Sequence, residues 1–327
     1  MNAIPRMASS VVLASAALLL PTTGRAADAG NPLAWHRRPD SFALLSGGQP
    51  VWQFNWATNH TKPFFHPVAL PGNPSLTWQS PPDHPWHYGL WFSWKYINRV
   101  NYWEQDKQGQ SQGTTEWRQV SATPLPDQSA RLDLDLAYRP SPSAEPVLTE
   151  HRTIAISAPA SNGSYTMDWV MVFTAGRENL RLDRTPQGRQ GTNVVPGGYA
   201  GLSARLARGL TNIQLAATAD RGTSQSHRYG YAATASDFSG QLGGTDMGLA
   251  ILDHPSTPRS PTRWYVITDP AIPFWYINAA WLQLEPYDLP AHQSFTLRYR
   301  VVVHPGRWDA ARLQEEEQRY GLSAKRP

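Results

Sequence analysis

The chain has no cysteine among its 327 residues. Disulfides, thiolate nucleophiles and cysteine metal sites are excluded, so stability has to come from packing. Long basic runs are missing too: 29 Lys and Arg stand against 25 Asp and Glu, with both signs interspersed. That is not the electrostatic footprint of a nucleic-acid binder, and no nucleic-acid partner is expected. After the first 26 residues no apolar run approaches the ~20 residues needed to cross a bilayer, so no membrane span is expected. The sequence lacks a P-loop, a G-x-G-x-x-G turn and a G-x-S-x-G elbow. Nucleotide binding by those loops and serine hydrolysis on an elbow are therefore unsupported. Strand–helix–strand alternation is also absent, which argues against an α/β fold.

The first 26 residues carry Arg6, an apolar run from Val11 to Leu20, Pro21 and the ending Gly24-Arg25-Ala26. This order of charge, greasy core and small-residue end predicts a secretory signal peptide over 1–26. Cutting after Ala26 removes two basic residues and no acid, which takes the formal net charge from +4 to +2. A periplasmic or secreted bacterial protein is implied, with a single domain over 27–327.

Within that domain, Ala27 to Pro39 reads as an irregular lead-in. Ser41 to Trp56 reads as a hairpin around Gly47-Gly48, since paired glycines supply the positive φ that tight turns need. Asn59 to Ser80, rich in Pro and Gly, reads as a shaped loop with short extended pieces. From Thr114 onward strands dominate. In Arg131 to Tyr138, Leu132, Leu134 and Leu136 alternate with Asp133 and Asp135, the mark of a half-buried strand. Val147 to Ser157 and Tyr165 to Thr174 continue a meander. Gly176 to Gly201 reads as a polar loop whose Gly197-Gly198 admits a ligand or another strand at close range. Further strands are predicted at Gly201 to Ala207, Asn212 to Ala217, Tyr229 to Thr234, Gly248 to Leu252, Trp264 to Thr268 and Phe295 to Val303. Only Asp309 to Tyr320 has a helical pattern. The fold class is all-β: a large antiparallel β-sandwich with a short C-terminal helix.

Chemistry concentrates in one stretch, DHPWHYGLWFSWKYINRVNYWE, from Asp83 to Glu104. Pro82, Pro85 and Gly89 place His84 and His87 on a loop entering a strand at Leu90. Imidazoles ordinarily titrate near neutrality, so His84 and His87 are candidates for acid–base catalysis, with Asp83 orienting one ring. Glu104 and Asp253 are the candidate base or nucleophile, Asp253 and His254 forming a second Asp-His pair beside proline. Trp86, Tyr88, Trp103 and Tyr199 offer aromatic faces suited to sugar rings, and Arg205 a planar fork for a substrate oxygen or a uronate. Trp91 points to one face of its strand, Phe92 and Trp94 to the other, and one set belongs to the core. No H-E-x-x-H or similar pattern supports a metal site, and no cofactor is expected.

The same stretch resembles the PmoA-like family of secreted bacterial proteins, whose segment runs approximately D-H-P-H-H-R-G-L-x-F followed by V-N-x-x-x-x-W. GGYAGLSAR, LAILDHPSTPRSPTRWYV and FTLRYRVVVHPG resemble further family segments. Trp86 and Tyr88 stand where that family commonly has histidine and arginine. The family label, methane oxygenase, is not accepted, because a membrane copper oxygenase needs spanning helices. The resemblance extends in pattern to galactose-mutarotase-like supersandwich proteins, where a His pair and a carboxylate serve sugar chemistry, and to proteins that accompany polysaccharide degradation. It implies a carbohydrate-active enzyme cleaving a glycosidic bond in plant or microbial oligosaccharides. The alternatives are a sugar epimerase or mutarotase, a non-catalytic saccharide-binding protein and a metal-dependent oxidoreductase.

Overall fold

Period-two hydrophobicity dictates the architecture. The strand Tyr165–Ala175 buries every second side chain, from Tyr165 through Met167, Trp169, Met171 and Phe173 to Ala175. The strands Ala130–Arg139 and Leu148–Ile156 bury alternate residues in the same way and pair with it in sequence order, Ile154 facing Leu132 on one side and Trp169 on the other. These three form part of an eight-stranded sheet, ordered Thr211–Ala217, Ala235–Leu242, Thr245–Asp253, Ser294–Pro305, Tyr165–Ala175, Leu148–Ile156, Ala130–Arg139 and Thr114–Pro124. The computed structural model describes Met1 and residues 32–186, 188–190, 193–195, 197–218 and 228–323. Beyond Met1, the expected leader lies outside the described residues.

A nine-stranded sheet faces the first. Its order is Leu33–Arg38, Ser41–Ser46, Gln49–Asn55, Phe64–Val68, Leu90–Ser93, Gly201–Arg205, Phe274–Ala279, Arg263–Asp269 and Arg228–Ala232. Phe65 meets Trp169 at 5.6 Å between ring centroids, and Phe92 meets Phe173 at 5.4 Å. The Tyr165 hydroxyl crosses the interface to lie 3.1 Å from the carbonyls of both Val51 and Ala69. One continuous apolar core therefore joins the two sheets. Every strand pairing among the described residues is antiparallel. A large antiparallel sandwich with one short helix is thus what the chain forms.

The outer faces of the two sheets differ. The helix Ala310–Ser323 and the preceding Trp308 cover part of the eight-stranded sheet, setting Trp308, Leu313 and Tyr320 over Ala216, Ala235, Ala250 and Leu252. On the nine-stranded sheet, the strands Leu90–Ser93, Gly201–Arg205 and Phe274–Ala279 are buried on both faces. Their outer face carries a second aromatic cluster that includes Trp91, Trp103, Tyr265 and Tyr276. No helix among the described residues is long and apolar enough to cross a membrane.

Several local expectations change. The lead-in contains the edge strand Leu33–Arg38, whose partner is the first arm of the hairpin. The Pro-rich loop contributes the strand Phe64–Val68, despite its proline, because its neighbours supply the core contacts. Ala235–Leu242, rich in Ser and Gly, is a fully paired strand. The polar loop after Gly176 holds the strand Leu180–Asp183 in a small four-stranded sheet. Gly197 admits backbone rather than ligand: a Cβ there would lie 2.5 Å from the carbonyl oxygens of Thr185 and Pro186.

Trp169 is fully buried at the centre of this core. Trp169→Ala is expected to cost about 3–5 kcal/mol of stability, read as a lower urea midpoint at unchanged slope.

Candidate functional site

The His84 loop is made of two successive tight turns. His84 N–H donates to the Pro81 carbonyl and His87 N–H to that of His84, both at 3.0 Å, while Ser80 N–H closes on the His87 carbonyl at 2.7 Å. Gly89 then lets the chain enter the sheet with φ of 75°. A Cβ at Gly89 would stand 2.5 Å from the Phe65 carbonyl oxygen, so no other residue fits without a shift. Arg205 N–H donates to the Gly89 carbonyl at 2.7 Å, which sets the end of the neighbouring strand beside the loop.

From that position the Arg205 side chain, fully buried, reaches Asp83 through Nη2, at 3.0 Å from Oδ1 and 2.9 Å from Oδ2. Its Nε and Nη1 have no hydrogen-bond partner among the described residues, and Phe274 lies 3.8 Å from the guanidinium carbon. Burial lowers the Arg205 pKa to about 10 against the pull of Asp83, so the group stays charged at neutral pH. The Oδ2 of Asp83 also lies 2.8 Å from His84 Nδ1. A carboxylate there selects the Nδ1–H tautomer and leaves Nε2 to take or give a proton. The His84 ring stacks on Phe274 at 4.7 Å and lies 4.7 Å from His87.

His87 is buried between Tyr276 and Trp91, at centroid distances of 5.0 and 4.9 Å. Burial first, then the charges of His84, Arg205 and Lys62, hold its pKa well below the ordinary imidazole value. It is a neutral ring at physiological pH. Its Nδ1 has no partner among the described residues.

Glu104 behaves differently. Lys95 contacts both carboxylate oxygens, Asn101 Nδ2 donates at 2.7 Å and the Tyr199 hydroxyl at 2.9 Å. Burial would raise this carboxyl, but the charge of Lys95 and the three donors outweigh it and hold its pKa below the usual range. Burial raises the phenols of Tyr199, Tyr265 and Tyr276, so they remain protonated.

Together, His84, Trp86, His87, Trp103, Glu104, Tyr199, Tyr265, Ile267, Phe274 and Tyr276 line a cavity of about 90 Å³. A water needs about 10–15 Å³ of such space, so the cavity has room for several waters. Asp83 and Arg205 lie behind this lining and hold the His84 ring in place.

Other expected residues lie elsewhere. Tyr88 is buried against Phe64 and bonds Gln105 through its hydroxyl, outside the lining. Asp253 ends a strand of the other sheet, where its Oδ2 accepts from Thr262 N–H at 2.8 Å, and burial raises its carboxyl to about 7. His254 is partly exposed, bonded to Ser256 and packed on Tyr320 of the helix. The structure does not bring this Asp-His pair to the histidine loop, because strand Thr245–Asp253 belongs to the eight-stranded sheet. Among the described residues, no group of three or more His, Cys, Asp or Glu side chains could hold a metal ion.

Sequence reasoning missed Tyr265, Ile267, Phe274 and Tyr276. The signal was present as alternate positions, 265 and 267 on one strand and 274 and 276 on the next. Lys62 gave no such signal. It is buried, donates to the Trp103 carbonyl at 2.9 Å and lies over the rings of Tyr88 and Trp103.

The model of the "Family of unknown function (DUF6807)" matches residues 41–318, most of the chain, and the chain belongs to that family. No curated protein matches. Among solved structures, the galactosidase domain of alpha-galactosidase-sucrose kinase, AgaSK, is similar with a TM-score of 0.44 at 8% identity, over 84% of this chain and 42% of that one. The chain therefore spans less than half of that structure's length.

Lys62 makes the site pH-sensitive in stability. Burial, opposed by Glu104 and reinforced by Lys95, lowers its pKa from 10.5 to about 7. Between these values the unfolded chain binds a proton that the folded chain does not, so the folded state gains as pH rises. Relative to Lys62→Met, the wild type is expected to gain stability from about pH 7 towards 10.5, by up to about 1.4 kcal/mol per pH unit. Paired urea titrations across that range check it, and a flat difference refutes it.

Proposed function

We propose that this member of a family of unknown function is a carbohydrate-active enzyme that transfers a proton at a sugar held in the His84 pocket. The observation that carries the reading is the relay from buried Arg205 through partly exposed Asp83 to His84 Nδ1, ending in a ring whose Nε2 is uncommitted among aromatic walls. Aromatic faces suit the C–H side of a sugar ring. Trp86, half exposed at the mouth, and Trp103, Tyr199 and Phe274 deeper in supply them.

In this reading His84 is the group that gains and loses the proton. Glu104, kept ionised, stabilises positive charge or accepts from a sugar hydroxyl, and neutral His87 offers a hydrogen bond without a competing charge. Glycosidic cleavage usually employs two carboxyl groups flanking the bond. Here Glu104 is the carboxylate in the lining, and Asp83 is committed to Arg205 and His84. Cleavage in this reading runs with His84 protonating the leaving oxygen as the C–O bond breaks, Glu104 stabilising the positive charge at the anomeric carbon, and a water adding there while its proton returns to His84 Nε2. Epimerisation at the anomeric carbon runs with His84 protonating the ring oxygen as the ring opens, the anomeric hydroxyl losing its proton to water, and both steps reversing as the ring recloses on the other face. The resemblance of the Asp83 to Glu104 segment to PmoA-like proteins supports a sugar substrate, and the leader-like first 26 residues support work outside the cytoplasm.

The test is an oligosaccharide and monosaccharide panel, read by mass spectrometry for cleavage and by NMR for configuration. His84→Ala is expected to lower turnover by about 10²–10⁴-fold, the usual weight of a general acid–base group. New masses identify cleavage, and changed configuration at constant mass identifies epimerisation. Binding without turnover in the wild type would replace the enzyme by a saccharide-binding protein, and neither binding nor turnover would remove the reading.

A further inference from the structure

A larger concavity lies apart from the His84 pocket, with which it shares no lining residue. It opens where the margins of the two sheets meet, at the point where the Arg37 guanidinium donates to the Ala122 carbonyl and ties one edge strand to the other. One part has a volume of about 780 Å³ and the adjoining part about 290 Å³. Thr58, His60, Trp117 and Arg118 line both, so the two form one elongated groove. Ligand sites ordinarily occupy about 300–1,000 Å³. The groove is large enough for several sugar units.

Its walls carry two fixed indoles. Trp56 Nε1 donates to the Pro39 carbonyl at 3.1 Å, and Trp117 Nε1 donates to the Trp56 carbonyl at 2.8 Å. With each polar edge held by backbone, both rings are fixed where they pack against the core, and each stays partly exposed in the lining. The amides beside them are also preset: Gln53 Nε2 donates to Asn55 Oδ1 at 2.7 Å, and Asn55 Nδ2 to the His66 carbonyl at 2.8 Å. On the opposite wall the edge strand slips register between Arg118 and Ser121, and Gln119 adopts φ of 52°. Such bulges re-aim side chains. The groove's formal charges cancel, Arg38 and Arg118 against Asp40 and Glu116.

Fixed aromatic platforms, preset amides and balanced charge fit a neutral polyhydroxylated chain, not a polyanion. We propose that this groove is a binding site for a neutral polysaccharide chain, separate from the His84 pocket.

Affinity electrophoresis tests this with the full chain in gels containing galactomannan, arabinogalactan or xylan, and polygalacturonate as the anionic counterpart. At least one neutral polymer is expected to retard the wild type. Trp117→Ala is expected to weaken that retardation at least tenfold. Asn59 and Gln119 also line the groove, and Asn59→Ala/Gln119→Gly, which alters only exposed side chains and keeps a residue tolerant of positive φ, is expected to do the same if Trp117→Ala fails to fold. His84→Ala/His87→Ala is expected to be retarded like the wild type. Four results would overturn the proposal: no retardation by any neutral polymer, retardation by polygalacturonate alone, full retardation of the groove variants, or loss of retardation in the histidine variant. Failure here leaves the sugar turnover of the His84 pocket to its own assay.

Discussion

The guanidinium of Arg205 is the constraint around which the site is arranged. An arginine does not lose its proton in a protein, and this one is wholly removed from solvent, so an anion has to accompany it. Asp83 is that anion, and supplying it dictates the path of the chain. Two tight turns carry Asp83 and His84 over the strand end, and Gly89 passes beneath the Phe65 carbonyl at a distance no side chain would permit. Arg205 is buried and Asp83 partly exposed, so removing Asp83 leaves a buried charge alone at a cost of up to about 3–5 kcal/mol. The orientation of His84 is therefore tied to a contact the fold cannot readily give up.

The strand Leu90–Ser93 connects this site to the sandwich. Its even positions Leu90 and Phe92, continued by Trp94, enter the core between the sheets, while Trp91 enters the outer aromatic cluster. That division was legible in the sequence, as were the hairpin around Gly47-Gly48, the meander from Ala130 to Ala175 and the terminal helix, because each rests on local periodicity or turn chemistry. Period two says which residues share a face. It does not say that both faces are covered, and Trp91 is as buried as Phe92. A strand covered on both sides by different clusters reads the same as one whose second face meets solvent.

What was not legible depends on contacts between distant segments. Lys95 and Glu104 are nine positions apart and meet because the chain turns back through two short strands, Tyr96–Ile97 and Val100–Asn101. Tyr199, 95 positions from Glu104, completes the same carboxylate's bonding. Asp253 followed by His254 looked like a partner to the histidine loop, yet the strand that carries them was assigned to the opposite sheet by pairing with Ser294–Pro305. An Asp-His-Pro string has the same local chemistry in either sheet. Only the strand order distinguishes a site group from the anchor of a surface loop.

In the proposed reading, Glu104 and His84 divide the chemistry through their surroundings. Two neutral donors, Asn101 and Tyr199, and the buried Lys95 ammonium stabilise Glu104 as an anion, so protonating it would sacrifice those bonds at once. A group held that firmly contributes a fixed charge better than a mobile proton. His84 is bonded through Nδ1 alone, and its partner Asp83 is itself held by Arg205, so the ring keeps its orientation whether or not Nε2 carries a proton. His87, buried and neutral behind it, places no charge against the His84 ring. In the proposed reading the mobile proton therefore belongs to His84, the ring of the lining that is held through one nitrogen and leaves the other without a partner among the described residues.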